Sequence, residues 1–342
     1  MNIIFLKNLF LVMLGLLACL FQPTQVHAAI PLAQPFDVKG QALEIFREKP
    51  LQNSTVLQGI GFDDRHQHIY TVQLMEKGYR FPDEKTAVRG AERASNGDLV
   101  LTKLDIKGHK LGYMYLRGFG HGVSIGVEPS NEEVYIWTET DAVAGTGKNG
   151  WGTRIARFPF RDGKTINPSA PILEKFDFLP NIDHTTVDID HAHQLLTMRY
   201  RQNGKFYFAL YQLADVKQHR FQPIAKMAQP KLGTFQGFAS YGNYLYLLEG
   251  NDYGTRDSQK PNGNTHITTM DWKTGGIVEK QWIGIANDLP FREPEGMGIY
   301  LPRDQDPDQA LLCIGFASTI TKNNPDKLAS IYGFPLKQRN RH

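Results

Sequence analysis

The sequence predicts an all-β chain: a five-bladed β-propeller of four-stranded antiparallel blades, with an N-terminal strand closing the last blade. Three observations lead there. First, one phrase recurs five times: a polar anchor, a neighbouring glycine in most copies, a tight polar turn, then a strand rich in β-branched and aromatic residues. Second, the anchors Gln58, His121, His184, Gln236 and Glu295 stand 63, 63, 52 and 59 residues apart, the spacing of a repeat architecture. Third, beyond residue 28 no segment sustains a helical period over several turns, while short runs alternate as strands do.

Residues 1–28 read as an export signal. Lys7 supplies the positive flank, Leu9 to Leu20 the apolar run, and Val26-His27-Ala28 the small residues a signal peptidase reads, so cleavage is expected after Ala28. The run is too short to stay as a membrane span, and the mature protein is expected to be secreted or held in the cell envelope. A competing lipobox, Leu16-Leu17-Ala18-Cys19, would instead tether the chain through a lipid on Cys19. A single propeller domain is expected over residues 29–342, as a monomer.

Within it, "FDVKGQALEIF" (residues 36–46) is expected to supply the outer strand of the last blade. The first blade then reads "QGIGFDD", "IYTVQ", "LVLTKLDI" and "LGYMYLRG". The second reads "GHGVSIGVE", "VYIWTE", "TRIARFPF" and "ILEKFDFL". In the third come "HTTVDID", "LLTMR", "FYFALYQL" and "FQPIAKMA", and in the fourth "QGFAS", "YLYLLE", "HITTMDW" and "IVEKQWIG". The fifth offers three strands only, "EGMGIY", "LLCIG" and "LASIYGFPL", which is why it needs the N-terminal one. Radial repetition leaves short, protected sheet edges. A β-sandwich would give no reason for a fivefold repeat.

The chain carries 38 basic and 35 acidic residues, a net charge of +3, with no long block of one sign, which argues against a nucleic-acid partner. Of its two cysteines only Cys313 would survive signal cleavage, which excludes a disulfide framework and a cysteine zinc site. The glycine-dense "GFGHGVSIGVE" is no phosphate loop: Val123 or Ile125 stands where a dinucleotide fingerprint needs its third glycine, and no G-K-[ST] occurs. In a propeller these glycines instead let the inner strands crowd around the channel.

Propeller geometry places the start of each inner strand and the end of each second strand at one mouth. The long loops lie there too: "MEKGYRFPDEKTAVRGAERASNGD", "TDAVAGTGKNGWG", "NDYGTRDSQKPNGN" and "STITKNNPDK". This mouth should gather the five anchors with Gln73, Glu139, Arg199 and Glu249, and with Trp151 and Tyr253 above them. Aromatic residues there would stack on sugar rings, while Arg154, Arg199 and Arg292 would pair with phosphates or carboxylates. No cofactor is required by any motif. Glu139, Asp141, Glu249 and Asp252 could hold a calcium ion, whose hard-oxygen preference they suit. His66, His68, His191 and His193 fall in turns at the other mouth and read as solvated turns, not metal ligands.

Several phrases, taken together, carry a family resemblance. "GDLVLTKLDIKGHKLGYMYLRGFGHGVSIGVE…VYIWTET", "GWGTRIARF", "FQGFASYGNYLYLLEGN" and "FREPEGMGIY…GFAS" resemble the TagC-like group. That group comprises bacterial teichoic acid biosynthesis protein C-like chains and the propeller domain of certain phage receptor-binding proteins. More distantly, the chain is similar to helveticin-J-type bacteriocins. The resemblance spans residues 40–335. It implies a five-bladed propeller and an association with cell-wall glycopolymers, and it supplies no catalytic residues. The leading expectation is therefore an exported module that binds a cell-wall glycan or anionic glycopolymer. A hydrolase or lyase using Glu139, Glu249 and Glu295, and a bacteriocin-like adhesin, are the alternatives.

Overall fold

A computed structural model describes residues 29–144, 149–255, 257–304, 306–321 and 325–338, so the expected signal segment and Cys19 lie outside the described residues. Strand β1 (Leu43–Pro50) follows a turn at Gly40, whose N–H donates to the Asp37 carbonyl and carboxylate (both 3.1 Å). Blade one is β2 (Leu57–Asp63), β3 (His68–Leu74), β4 (Leu99–Asp105) and β5 (Lys110–Leu116), with the helix α1 (Gly90–Asn96) in the loop after β3. Blade two opens with β6 (Gly126–Pro129) and β7 (Val134–Thr140), and its long loop carries a small hairpin, β8 (Val143–Ala144) and β9 (Gly150–Trp151). After β10 (Arg154–Pro159) the chain adds β11 (Thr165–Ile166) parallel to β5, then completes blade two with β12 (Glu174–Phe176).

Blade three is β13 (Ile182–Asp190), β14 (Leu195–Gln202) and β15 (Lys205–Gln212), then the short helix α2 (Leu213–Val216) and β16 (Ala225–Ala228). Blade four is β17 (Phe235–Tyr241), β18 (Tyr244–Glu249), β19 (His266–Asp271) and β20 (Ile277–Trp282). Blade five runs outward from β21 (Glu293–Tyr300) through β22 (Leu311–Thr319) and β23 (Lys327–Pro335) to β1. The closing strand is thus the expected one, pairing Leu43 with Gly333 and Phe46 with Ile331. Its bounds sit further along than residues 36–46, because the Gly40 turn bends the chain first. Phe36 makes only an isolated bridge to Leu336.

Inner strands β2, β6, β13, β17 and β21 neighbour one another in that order and close into a ring. The anchor glycines make the crowding possible. A Cβ on Gly59 would stand 2.5 Å from the Gly122 carbonyl oxygen, and one on Gly296 would stand 3.0 Å from Gly59 Cα. Apolar cores fill the wedges between blades: Leu101, Met114, Ile136 and Phe158 between blades one and two, for example, and Trp137, Phe176, Met198 and Tyr211 between two and three. Cys313, on β22, is free and fully buried between blades five and one. No helix among the described residues is long and apolar enough to cross a membrane.

Candidate functional site

The long-loop mouth holds a cavity of about 900 Å³, and all five anchors, Gln58, His121, His184, Gln236 and Glu295, line it together with Trp151 and Arg199. One wall is a run of planar side chains reaching from blade two to blade four. The Trp151 ring lies 4.5 Å from that of His121 and 4.1 Å from that of His184, the latter nearly parallel. His184 in turn meets Phe206 edge-on at 5.5 Å. The Arg199 guanidinium lies over Phe206 at 3.9 Å and over Phe235 at 4.0 Å, and its Nε donates to Gln229 Oε1 (2.8 Å). With two imidazoles already against it, Trp151 offers a ligand only its remaining surface.

Electrostatics sort this wall. Burial lowers both His121 and His184 to about 4, so both imidazoles are neutral at neutral pH. Burial also pulls Arg199 down to about 9, against the attraction of Glu139, and leaves it charged at pH 7. Two blades further round, Glu293 and Glu295 line the same cavity. Burial raises Glu293 to about 7, with the Asp252 charge adding, and raises Glu295 well above its ordinary value, with the Glu293 charge adding. Gln58 Nε2 donates to Glu295 Oε1 (3.4 Å), and Gln236 Nε2 to the Gly250 carbonyl (2.9 Å).

Six of the residues expected at this mouth do not line the cavity, each for a visible reason. Glu139 is fully buried beneath it and accepts the N–H groups of His121 (2.8 Å), Gly122 (2.7 Å) and Gly152 (2.6 Å), so it ties an anchor to the loop carrying Trp151. Arg154 pairs outside with Asp177 (2.6 Å). Glu249 accepts the Gly233 N–H (3.0 Å) and pairs with Lys280. Arg292 is fully buried and donates to the carbonyls of Ile283 (2.8 Å) and Ile285 (2.8 Å) and to Thr265 Oγ1 (3.0 Å). Tyr253 donates its hydroxyl to the Pro261 carbonyl (2.8 Å). Gln73 likewise serves backbone, donating to the Asn53 (2.9 Å) and Thr55 (2.6 Å) carbonyls.

The calcium reading fails on these engagements: Glu139 and Glu249 are taken as above, and Asp141 holds Lys175 (2.8 Å). Among the described residues no three His, Cys, Asp or Glu side chains stand so as to hold a metal ion. At the other mouth His66 and His193 close their turns on Asp63 (2.9 Å) and Asp190 (2.8 Å). Of the three carboxylates expected as acid and base, only Glu295 reaches the cavity.

Sequence reasoning missed Phe206, Phe235 and Glu293. The last was within reach, since residues two apart on a strand share a face and Glu293 precedes the anchor Glu295 by two. The two phenylalanines carry no such mark: each lies at the end of a strand, where only tertiary packing aims it.

Two relatives frame this geometry. The putative major teichoic acid biosynthesis protein C of Bacillus subtilis (strain 168) is 28% identical over 276 residues, covering 78% of this chain and 57% of that protein. A solved structure, the tail fibre of Staphylococcus aureus phage P68, superposes with a TM-score of 0.64 at 20% identity, over 87% of this chain and 53% of that one, a likeness of fold. The chain thus spans little more than half the length of each. Residues 56–333 match the family described as the phage 5-bladed beta propeller receptor binding platform domain, and the chain belongs to that family.

Proposed function

We propose that the protein is an exported module that binds a cell-surface glycopolymer, an anionic wall polymer in the first place, at the long-loop mouth of its propeller. The carrying observation is the cavity of about 900 Å³ with its planar wall of His121, Trp151, His184, Phe206 and Phe235 around one buried cation, Arg199. Sugar rings lay their C–H faces on such surfaces, and a guanidinium held among them offers donors to a phosphate or carboxylate. The family's description as a receptor-binding platform, and the relative's name as a teichoic acid biosynthesis protein, support the same ligand class.

Titration calorimetry with purified wall glycopolymer tests this. Arg199→Gln should weaken binding at least about tenfold, since a hydrogen bond to a charged group is worth about 1.5–3 kcal/mol. Trp151→Ala should weaken it several-fold, while Arg154→Ala, outside the cavity, should leave it unchanged. Parent-level binding by both cavity variants would move the ligand elsewhere.

A further inference from the structure

The cavity holds a cation and two carboxyl groups that do not meet. Arg199, on β14 of blade three, is only 3% exposed, and its single hydrogen bond among the described residues runs through Nε to Gln229; both terminal nitrogens are left over. Glu293 and Glu295, on β21 of blade five, are separated from it by the whole of blade four. Glu295 is 5% exposed and has Gln58 as its one hydrogen-bond partner, at 3.4 Å, while the Glu293 carboxyl has none among the described residues. The neighbouring cation Lys327 lowers Glu293 only in part: its ammonium lies over the Phe291 ring at 3.8 Å and forms no ion pair with either carboxyl group. Buried charges in folded proteins are ordinarily paired. Here a cation and two carboxyl groups, none with an ion pair within 4 Å among the described residues, share one cavity of about 900 Å³, held apart by the rigid ring.

Resting on the glycopolymer reading above, we propose that the ligand's repeat unit is dipolar: an anionic group seats on Arg199, and an ammonium group seats between Glu293 and Glu295. Such a ligand completes both poles at once. A purely anionic repeat would satisfy Arg199 and bring its charge towards two carboxyl groups. An ammonium beside those groups replaces the water that burial has taken from them and favours their ionised form. Gln58, on the adjoining blade, holds Glu295 in place for this contact.

The test uses two synthetic glycerol-phosphate oligomers of equal length, one with primary amines pendant on the repeats and one with those amines acetylated, titrated into the full chain at pH 7.5. The amine form should bind the parent about tenfold more tightly than the acetylated form. Glu293→Gln/Glu295→Gln should lose that preference while still binding the acetylated form, and the single Glu293→Gln variant, at a less buried site, should lose most of it. Arg199→Gln should weaken both oligomers. Equal binding of the two oligomers by the parent, or a preference that survives in both glutamine variants, overturns the dipolar ligand and leaves the glycopolymer reading standing. Binding of neither oligomer by the parent overturns both.

Discussion

Glu139 shows how one side chain sets a site it does not line. Its two carboxylate oxygens take three backbone N–H groups, those of the anchor His121, of Gly122, and of Gly152 beside Trp151. Gly120 and Gly152 are glycine because a Cβ on either would run into this carboxylate. Burial raises Glu139 to about 7, opposed by the three donors and by the Arg199 charge. Glu139→Ala would leave three buried donors without an acceptor, at about 1–3 kcal/mol each, so a loss of about 3 kcal/mol or more is expected by denaturant titration. Glu139→Gln keeps one carbonyl oxygen for His121 and Gly122 but turns an amide N–H₂ towards the Gly152 N–H. Its expected cost is smaller, with a shift of Trp151 fluorescence as the loop moves away from His184. An unchanged spectrum together with parent stability would refute the clamp. The sequence placed Glu139 correctly at the end of a second strand; that its charge faces backbone, not ligand, depends on Gly120 and Gly152 approaching it in space, which no period records.

At the level of elements, closure rests on two N-terminal pieces. Strand β1 covers the edge of β23, and upstream of it a strap crosses onto blade four, where the Ala33 N–H donates to Asn243 Oδ1 (2.9 Å) and the Phe36 N–H to the Tyr246 hydroxyl (3.2 Å). The Phe36 ring is fully buried against Tyr241 (5.1 Å) and Tyr246 (5.4 Å). Phe36→Ala should therefore cost about 3–5 kcal/mol, the usual range for a buried phenylalanine. Removing residues 29–50 should bare the β23 edge and drive association, seen as higher-order species on a sizing column; a monomer with a cooperative transition would show that closure is dispensable. The closing strand was legible because the fifth blade is one strand short and only one extended segment is left over. The strap was not, because its partners lie about two hundred residues away and are chosen by ring packing. For the same reason Arg154 and Arg292 read as ligand-facing: Asp177 and the carbonyls of Ile283 and Ile285 are found only once the loops fold back.

Across the whole molecule, the polar interior makes stability depend on pH in a sense that can be worked out. Burial raises Glu139 to about 7 from an ordinary 4.5, and Asp188 to about 8 from 3.8, with the Asp190 charge adding to the latter. The folded state therefore holds protons that the unfolded chain has already released, so the contribution of these groups is full below about pH 4 and is lost as pH rises through 7 and 8. His121 and His184 act oppositely: lowered to about 4 from 6.5, they contribute stability above 6.5 that is lost as pH falls through 4. Below pH 6.5 the two sets offset each other; of these four groups only the two carboxyl groups still change between pH 6.5 and 8.5. Melting temperature should accordingly fall across that window, by an amount on the order of 2 kcal/mol in stability at about 1.4 kcal/mol per unit of separated titration. Asp188 accepts the Ser240 N–H (2.8 Å) deep in the channel, and Asp188→Asn keeps a carbonyl acceptor while removing the titration. Scanning calorimetry of the parent and this variant at pH 6.5, 7.5 and 8.5 is the check. The variant's curve should be flatter than the parent's, and a parent melting temperature that rises over the same window would mean that these carboxyl groups are ionised in the fold and that the channel is wetter than its packing implies.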